Sequence, residues 1–313
     1  MKIQPIDLSR VKTVALKKRP SKVNKSDFSK TLKKPVSFND FFSSMPEILA
    51  GKNMRNLVKS ILAARKKGKP VICAFGAHVL KCGLAPMLID LAEKGFITAF
   101  ASNGASMVHD FELASAGFTS EDVAARLKDG SFGMTRETGV FLNGAASKAR
   151  EEGLGLGHTL GREIERNKLA NRQLSVYAAA YRLGMPFTAH VAIGTDIIYQ
   201  HPQCDGAAWG DASYRDFLIF ANNVAKLGSG GVFLNFGSAV IMPEVFLKAL
   251  TTARNLGHKV FNFTTANFDM IRQYRPLTNI VSRPTKDGGQ GYDFTGHHEI
   301  MLPLLYAALI DSV

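Results

Sequence analysis

PVICAFGAHVLKCGLAPMLIDLAEKGFITAFASNGAS, residues 70–106, decides the fold. An apolar run of strand type (70–75) meets Gly76. A stretch with helical spacing follows (78–95), with Pro86 as a break inside it. Then comes a second apolar run (96–101) and a turn of small residues, Ser102–Ser106. Neither apolar run alternates with polar residues. Strands of that kind are covered on both faces, which is the signature of a parallel sheet whose crossovers are helices.

The same unit repeats outward from this stretch. A helix is predicted before it, over 54–66, with Leu57, Ile61 and Leu62 on one face and KGKP closing it. Three further apolar runs follow, PFTAHVAI (186–193), GVFLNF (231–236) and KVFNFTT (259–265). Helical patterns fall at 119–130, 135–152, 159–168, 175–184, 214–228, 243–257 and 298–311. Thr119-Ser-Glu-Asp gives the first of these a capping start, and Pro243 and Gly257 bracket the sixth. Five strands separated by helices predict an α/β fold, a doubly wound, mainly parallel sheet with helices on both faces. It is expected to form one domain over 37–313.

Composition agrees with a globular enzyme-sized chain. Of 313 residues, 46% are hydrophobic and 21% charged, which excludes wholesale disorder. The longest apolar stretch, MLPLLYAALI (301–310), is short of a membrane span and reads as a core helix. Charge is uneven. Residues 1–36 carry 11 Lys/Arg against 2 Asp, so +9 of the formal +13 lies in a basic leader, read as solvated and flexible. The remaining chain is nearly balanced, which disfavours a nucleic-acid partner. KKRPSKVNK (17–25) has the composition of a localisation signal or of a contact for an acidic partner. The N-terminus lacks the apolar core of a signal peptide, and three cysteines cannot pair completely, so a cytoplasmic, reducing compartment is expected.

In a doubly wound fold, ligands sit at the carboxyl ends of the strands. Those ends carry Gly76-Ala77-His78, Ser102-Asn103-Gly104-Ala105-Ser106, Gly194-Thr195-Asp196, Gly237-Ser238, and Thr264 to Asp269. Small residues let a backbone approach a ligand, and helix N-termini favour phosphate, so five such turns on one edge point to a nucleotide pocket. No G-x-G-x-x-G and no G-x-x-x-x-G-K-[ST] is present, and neither is G-x-S-x-G. The histidines offer a rival reading. His297, His298, Glu299 and Asp196 are metal-ligand types, which would serve a metal-dependent hydrolase. Their spacing matches no zinc motif, and adjacent His297 and His298 point in different directions on regular structure. Cys204, in HPQCDG, reads as a small or buried residue before a reactive thiol.

Five segments together resemble the deoxyhypusine synthase family, in order over about residues 70–310. They are 71–117, SVYAAAYRLGMPFTAHVAIGTDIIYQH (175–201), GGVFLNFGSAVIMPE (230–244), FTTANFD (263–269) with VSRPTK (281–286), and TGHHEIMLPLLYAA (295–308). The resemblance implies a homotetramer whose sites are shared between chains. It also implies NAD as cofactor and oxidation of a small amine or polyamine, followed by transfer of an alkylamine group to an amine acceptor. It places the cofactor along Gly76, His78, Ser102, Asn103, Gly104, Asp196, Gly237, Ser238, Thr264 and Asp269. The family's catalytic lysine falls at Thr285, and Lys286 is the adjacent lysine that can carry an imine. Met242, Pro243 and Glu244 replace a histidine-bearing segment, Arg283 replaces a tryptophan, and His297 replaces an aspartate. Lys286, Glu244 and His297 are therefore the candidate catalytic groups. The alternative is a homologue that keeps NAD or ligand binding and has altered chemistry.

Overall fold

The computed structural model describes residues 4–312. Six strands form one sheet: β1 (Val71–Phe75), β2 (Ala99–Asn103), β3 (Phe187–His190), β4 (Val232–Phe236), β5 (Phe263–Asp269) and β6 (Gly289–Thr295). The order is β3-β2-β1-β4-β5-β6 and every pair is parallel. This is a Rossmann-like α/β fold, with the strand order reversing direction between β1 and β4.

The helices are α1 (Phe38–Ser44), α2 (Leu49–Lys66), α3 (His78–Lys81), α4 (Ala85–Glu93), α5 (Gly104–Ala116), α6 (Val123–Leu127) and α7 (Arg136–Glu151). They continue as α8 (Leu156–Arg166), α9 (Val176–Arg182), α10 (Gly206–Val224), α11 (Ile241–Asn255), α12 (Tyr274–Pro276) and α13 (His298–Ile310). Among the described residues, no helix is long and apolar enough to cross a membrane. Residues 4–36 hold two single 3-10 turns, at Leu16–Lys18 and Lys25–Asp27, and expose Ile6, Val11, Val14 and Phe28.

Alternate residues of each central strand feed two cores. Val71, Cys73 and Phe75 face one side with Leu57, Phe100, Leu234 and Phe268, under α2, α4, α9 and α13. Ile72 and Ala74 face the other with Phe220, Phe233, Phe246 and Leu250, under α10 and α11. Both faces are dry, which is why the strands read as unbroken apolar runs. Phe236, Phe268 and Phe294 sit at paired register positions of β4, β5 and β6, and their rings stack at 4.4 and 4.7 Å.

Three expectations are corrected. First, the sheet has a sixth strand. DGGQG (287–291) has the composition of a loop, yet Gly289 and Gly291 lie in β6. A side chain there has no room: a Cβ on Gly289 would meet the Phe263 carbonyl at 2.2 Å, and one on Gly291 the Val281 carbonyl at 2.0 Å. The glycines are required by close packing of β6 against β5 and against the π-helical turn Leu277–Ser282. Second, the strand expected at 259–265 begins at Phe263, because Asn262 takes a left-handed conformation (φ 55°) that interrupts extended chain. Third, the helix expected at 119–130 shrinks to α6, capped by Asp122 rather than by Thr119. Pro86 acts as expected and falls in the first turn of α4, after the break at Gly83.

Candidate functional site at the carboxyl edge of the sheet

All six strands run the same way, so one edge collects every carboxyl end. At the reversal point, Gly76 after β1 packs directly on Gly237 after β4; a Cβ on Gly76 would lie 2.5 Å from the Gly237 carbonyl oxygen. Gly237 has φ 65° and lies beneath His298, the first residue of α13. His298 is buried, and its Nδ1 has no hydrogen-bond partner among the described residues. Burial lowers its pKa, with the nearby Asp269 carboxylate opposing. His78, at the start of α3, faces it with ring centroids 6.0 Å apart. His297 caps the same helix but is solvent-exposed and lies 3.8 Å from Glu299, so the two adjacent histidines do diverge.

Beside this point, over the end of β2, lies a cavity of about 230 Å³. Asn103 caps α5 by accepting from the Ser106 amide, and Gly104 opens that helix. The Asp196 carboxylate, delivered by the chain after β3, sits on Gly104; a Cβ there would lie 2.2 Å from Asp196 Oδ2. Burial pushes the Asp196 carboxyl up to about 6. The opposite wall is α5, which contributes Ala105, Val108, His109 and Glu112, with Lys81 from α3 at the rim.

Buried polar anchors hold these walls. Asp110, on α5, accepts from the Ser175 hydroxyl and from the Val176 amide (2.8 Å), tying α5 to the start of α9. Asp216, on α10, accepts from Gly157 and Ala189 amides at 2.9 and 2.8 Å, joining α8 and β3. Burial pushes both carboxyls up to about 7. The outer wall closes where the His201 Nε2–H donates to the Gly133 carbonyl at 2.8 Å, its ring filling the space left by Gly139.

The structure brings together Gly76, His78, Ser102, Asn103, Gly104, Asp196, Gly237, Ser238 and Asp269 at this edge. Some are already engaged: Ser102 donates to the Phe75 carbonyl and Ser238 accepts from the Met242 amide. Two are not at this edge. Thr264 pairs with Val232, the first residue of β4, and so lies at the amino-terminal edge, about 17 Å from Asp269 along the strand. Lys286 precedes β6, is exposed, and lies at that same far edge. Both follow from where β5 and β6 begin. Glu244 lies in the first turn of α11, bound to Lys248, Arg275 and Asn279. Among the described residues, no three His, Cys, Asp or Glu side chains form a group able to hold a metal.

Sequence reading missed His109, Glu112 and Lys81. His109 and Glu112 are one helical turn apart on the helix that follows β2, a spacing that places both on one face. That was the available signal.

A dinucleotide fits part of this edge. The 3-2-1-4-5-6 order is that of dinucleotide-binding sheets, in which an acidic group at the end of β2 takes the ribose hydroxyls. Asp196 supplies such a carboxylate there. The orphaned Nδ1 of His298 marks a polar group without a mate at the reversal point. The phosphate turn is less conventional, with one glycine and a four-residue α3.

No family model and no curated protein matches the chain. Solved structures do. A protein described as a deoxyhypusine synthase of Entamoeba histolytica superposes with TM-score 0.53 at 10% identity, covering 89% of this chain and 94% of that one. A conserved LOR/SDH protein from Methanococcus maripaludis S2 gives 0.52 at 13%, over 83% and 70%. AgrE, solved as a ternary complex with ornithine and NAD+, gives 0.52 at 14%, over 84% of this chain. The chain spans only 33% of AgrE and 32% of the arginine dihydrolase ArgZ. At these identities the likeness is one of fold: the chain shares a Rossmann-like α/β architecture with deoxyhypusine-synthase-like, LOR/SDH and AgrE/ArgZ proteins.

Proposed function

We propose that this chain is an NAD-dependent enzyme acting on an amine, of the deoxyhypusine-synthase-like type, which passes an alkylamine group to an amine acceptor. The observation that carries the reading is the Asp196 carboxylate on Gly104 at the end of β2. A carboxylate there accepts from both hydroxyls of an adenosine ribose and repels a 2′-phosphate, which selects NAD over NADP. The NAD+ bound to AgrE adds support through the shared fold. When bound, the dinucleotide supplies a hydride acceptor for the carbon beside the amine nitrogen. In this chain, Gly76 and Gly237 allow backbone to approach the ligand, and the buried His298 offers a ring nitrogen to it. Lys286 lies at the far edge, so transfer proceeds by direct attack of the acceptor amine on the imine carbon, loss of the original amine nitrogen from the resulting aminal, and return of the hydride to the new imine. Assembly as a homotetramer belongs to the same reading and is measured by light scattering.

The test is calorimetry on cofactor-free protein with NAD and NADP, followed by reduced-nicotinamide absorbance across a panel of amines. Heat with NAD, weaker heat with NADP, and amine-dependent reduction are expected. No heat and no thermal stabilisation at millimolar NAD would overturn the reading.

A further inference from the structure

We infer a second ligand site, at the amino-terminal edge of the sheet, built for an anionic amphiphile: one alkyl chain carrying a phosphate head. It has two adjoining parts. The first is an apolar pocket of about 540 Å³, walled by Leu154, Met185, Phe187, Leu218 and Ile219. The second is a groove of about 620 Å³, ringed by Arg65, Lys67, Lys69 and Lys226. Pro186, just before β3, lines both. Helix α10 also borders both: Leu218 and Ile219 face the pocket, while Asn223, with Lys226 just beyond the helix, faces the groove. Lys69 and Pro70 lead into β1 and Thr98 into β2, so the groove crosses the strand starts, opposite the edge that carries Asp196 and His298.

The charge is arranged for a head in the groove and a chain in the pocket. No Asp or Glu lines either part. Arg65, Lys67, Lys69 and Lys226 enter no ion pair among the described residues. The Arg65 guanidinium rests over the Phe96 ring, 4.7 Å from its centroid, which holds it at the rim. Four cations around one concavity repel one another, and a phosphate entering between them relieves that repulsion while its oxygens accept their N–H donors. The pocket is different. Its one formally charged side chain, Arg215, is bonded through Nε and Nη2 to Asp211. Burial lowers the pKa of His158, so the pocket's histidine stays neutral. Leu218 and Ile219 are exposed there, apolar surface that an alkyl chain takes from water. Inorganic phosphate fills only the groove, and a nucleic-acid strand brings phosphates but no alkyl chain.

Calorimetry on the full chain tests this with monomeric octyl phosphate, beside butyl phosphate, inorganic phosphate and octyltrimethylammonium. Octyl phosphate should bind about tenfold or more tightly than butyl phosphate, since each methylene taken from water is worth up to about fourfold. Inorganic phosphate should bind more weakly still, and the cationic amphiphile should give no heat. Lys67→Gln combined with Lys226→Gln changes two exposed residues and spares the fold. It should weaken octyl phosphate about tenfold or more, the loss of charge-assisted contacts to the head. Leu218→Glu should erase the difference between octyl and butyl phosphate. Flotation with phosphatidylcholine vesicles containing phosphatidic acid distinguishes a dissolved ligand from a membrane surface. Absent octyl phosphate binding, equal affinity for octyl and inorganic phosphate, binding of the cationic amphiphile, capture by vesicles without binding of monomeric octyl phosphate, or binding unchanged in both variants would overturn the proposal. The site shares no residue with the carboxyl edge, so it stands or falls independently of the NAD reading.

Discussion

Replacing Gly104 by alanine separates the cofactor site from the fold. The new Cβ would lie 2.2 Å from Asp196 Oδ2 and 2.9 Å from its Cγ. Ordinary contact needs about 3.5 Å, so the carboxylate must retreat by roughly 1 Å. A hydrogen bond of about 2.8 Å stretched by that amount is no longer one. Losing one charge-assisted bond to a ribose hydroxyl costs about 1.5–3 kcal/mol, or about ten- to a hundredfold in NAD affinity. The fold barely responds, because Gly104 is the first residue of α5 and alanine is the better helix former by up to about 1 kcal/mol, which offsets the displacement. Calorimetry with NAD on wild type, Gly104→Ala and Asp196→Asn, beside thermal melts, measures both effects. NAD binding of wild-type strength in Gly104→Ala, with Asp196→Asn impaired, would refute the displacement argument. Wild-type binding in both would refute the role of the carboxylate.

Three further outcomes follow from the packing and the titrations. Lys286→Ala should leave NAD binding, amine binding and the melting temperature unchanged, the stability within about 0.5 kcal/mol, because the residue is exposed at the far edge of the sheet; a borohydride-trapped amine adduct on Lys286 would contradict the placement. Gly157→Ala should lower stability by about 1–3 kcal/mol or more, since its Cβ would meet the Phe187 carbonyl at 2.0 Å, whereas Gly144→Ala, exposed in α7 with nothing within 4 Å, should raise it by up to about 1 kcal/mol; denaturant titration of the pair checks the contrast. His190 is buried on Phe220, 3.0 Å from the Thr188 hydroxyl, and burial lowers its pKa from 6.5 to about 3. Below pH 6.5 the unfolded chain binds the proton that the folded chain refuses, so this histidine costs stability as pH falls, about 3 kcal/mol by pH 4.5. Wild type should therefore lose more stability over that range than His190→Gln; parallel pH profiles would show that His190 makes no such contribution.

The sequence alone determined the sheet's interior and its class. The runs at 70–75 and 231–236 are apolar at every position because β1 and β4 are central and covered on both faces, and that pattern is local enough to read directly. The usable ends of the strands were also legible, since Gly76, Gly104, Asp196 and Gly237 lie immediately after the runs or their loops. Tertiary structure decided the rest. DGGQG is an edge strand only because Val281 and Phe263 leave no room for side chains, a fact carried by residues outside the segment. The left-handed turn at Asn262 shifted β5, and with it Thr264 went to the amino-terminal edge; where β6 begins set Lys286 there too. His297 and His298 are adjacent letters, yet one caps α13 in solvent and the other is buried over Gly237, a difference fixed by the helix start. The Thr119 hydroxyl meets His109 and Glu112, joining α5 to the loop beyond it. Local periodicity reports which faces are buried; it is silent on which polar atoms meet across ten residues or a hundred, because those meetings are set by the packing of the whole chain.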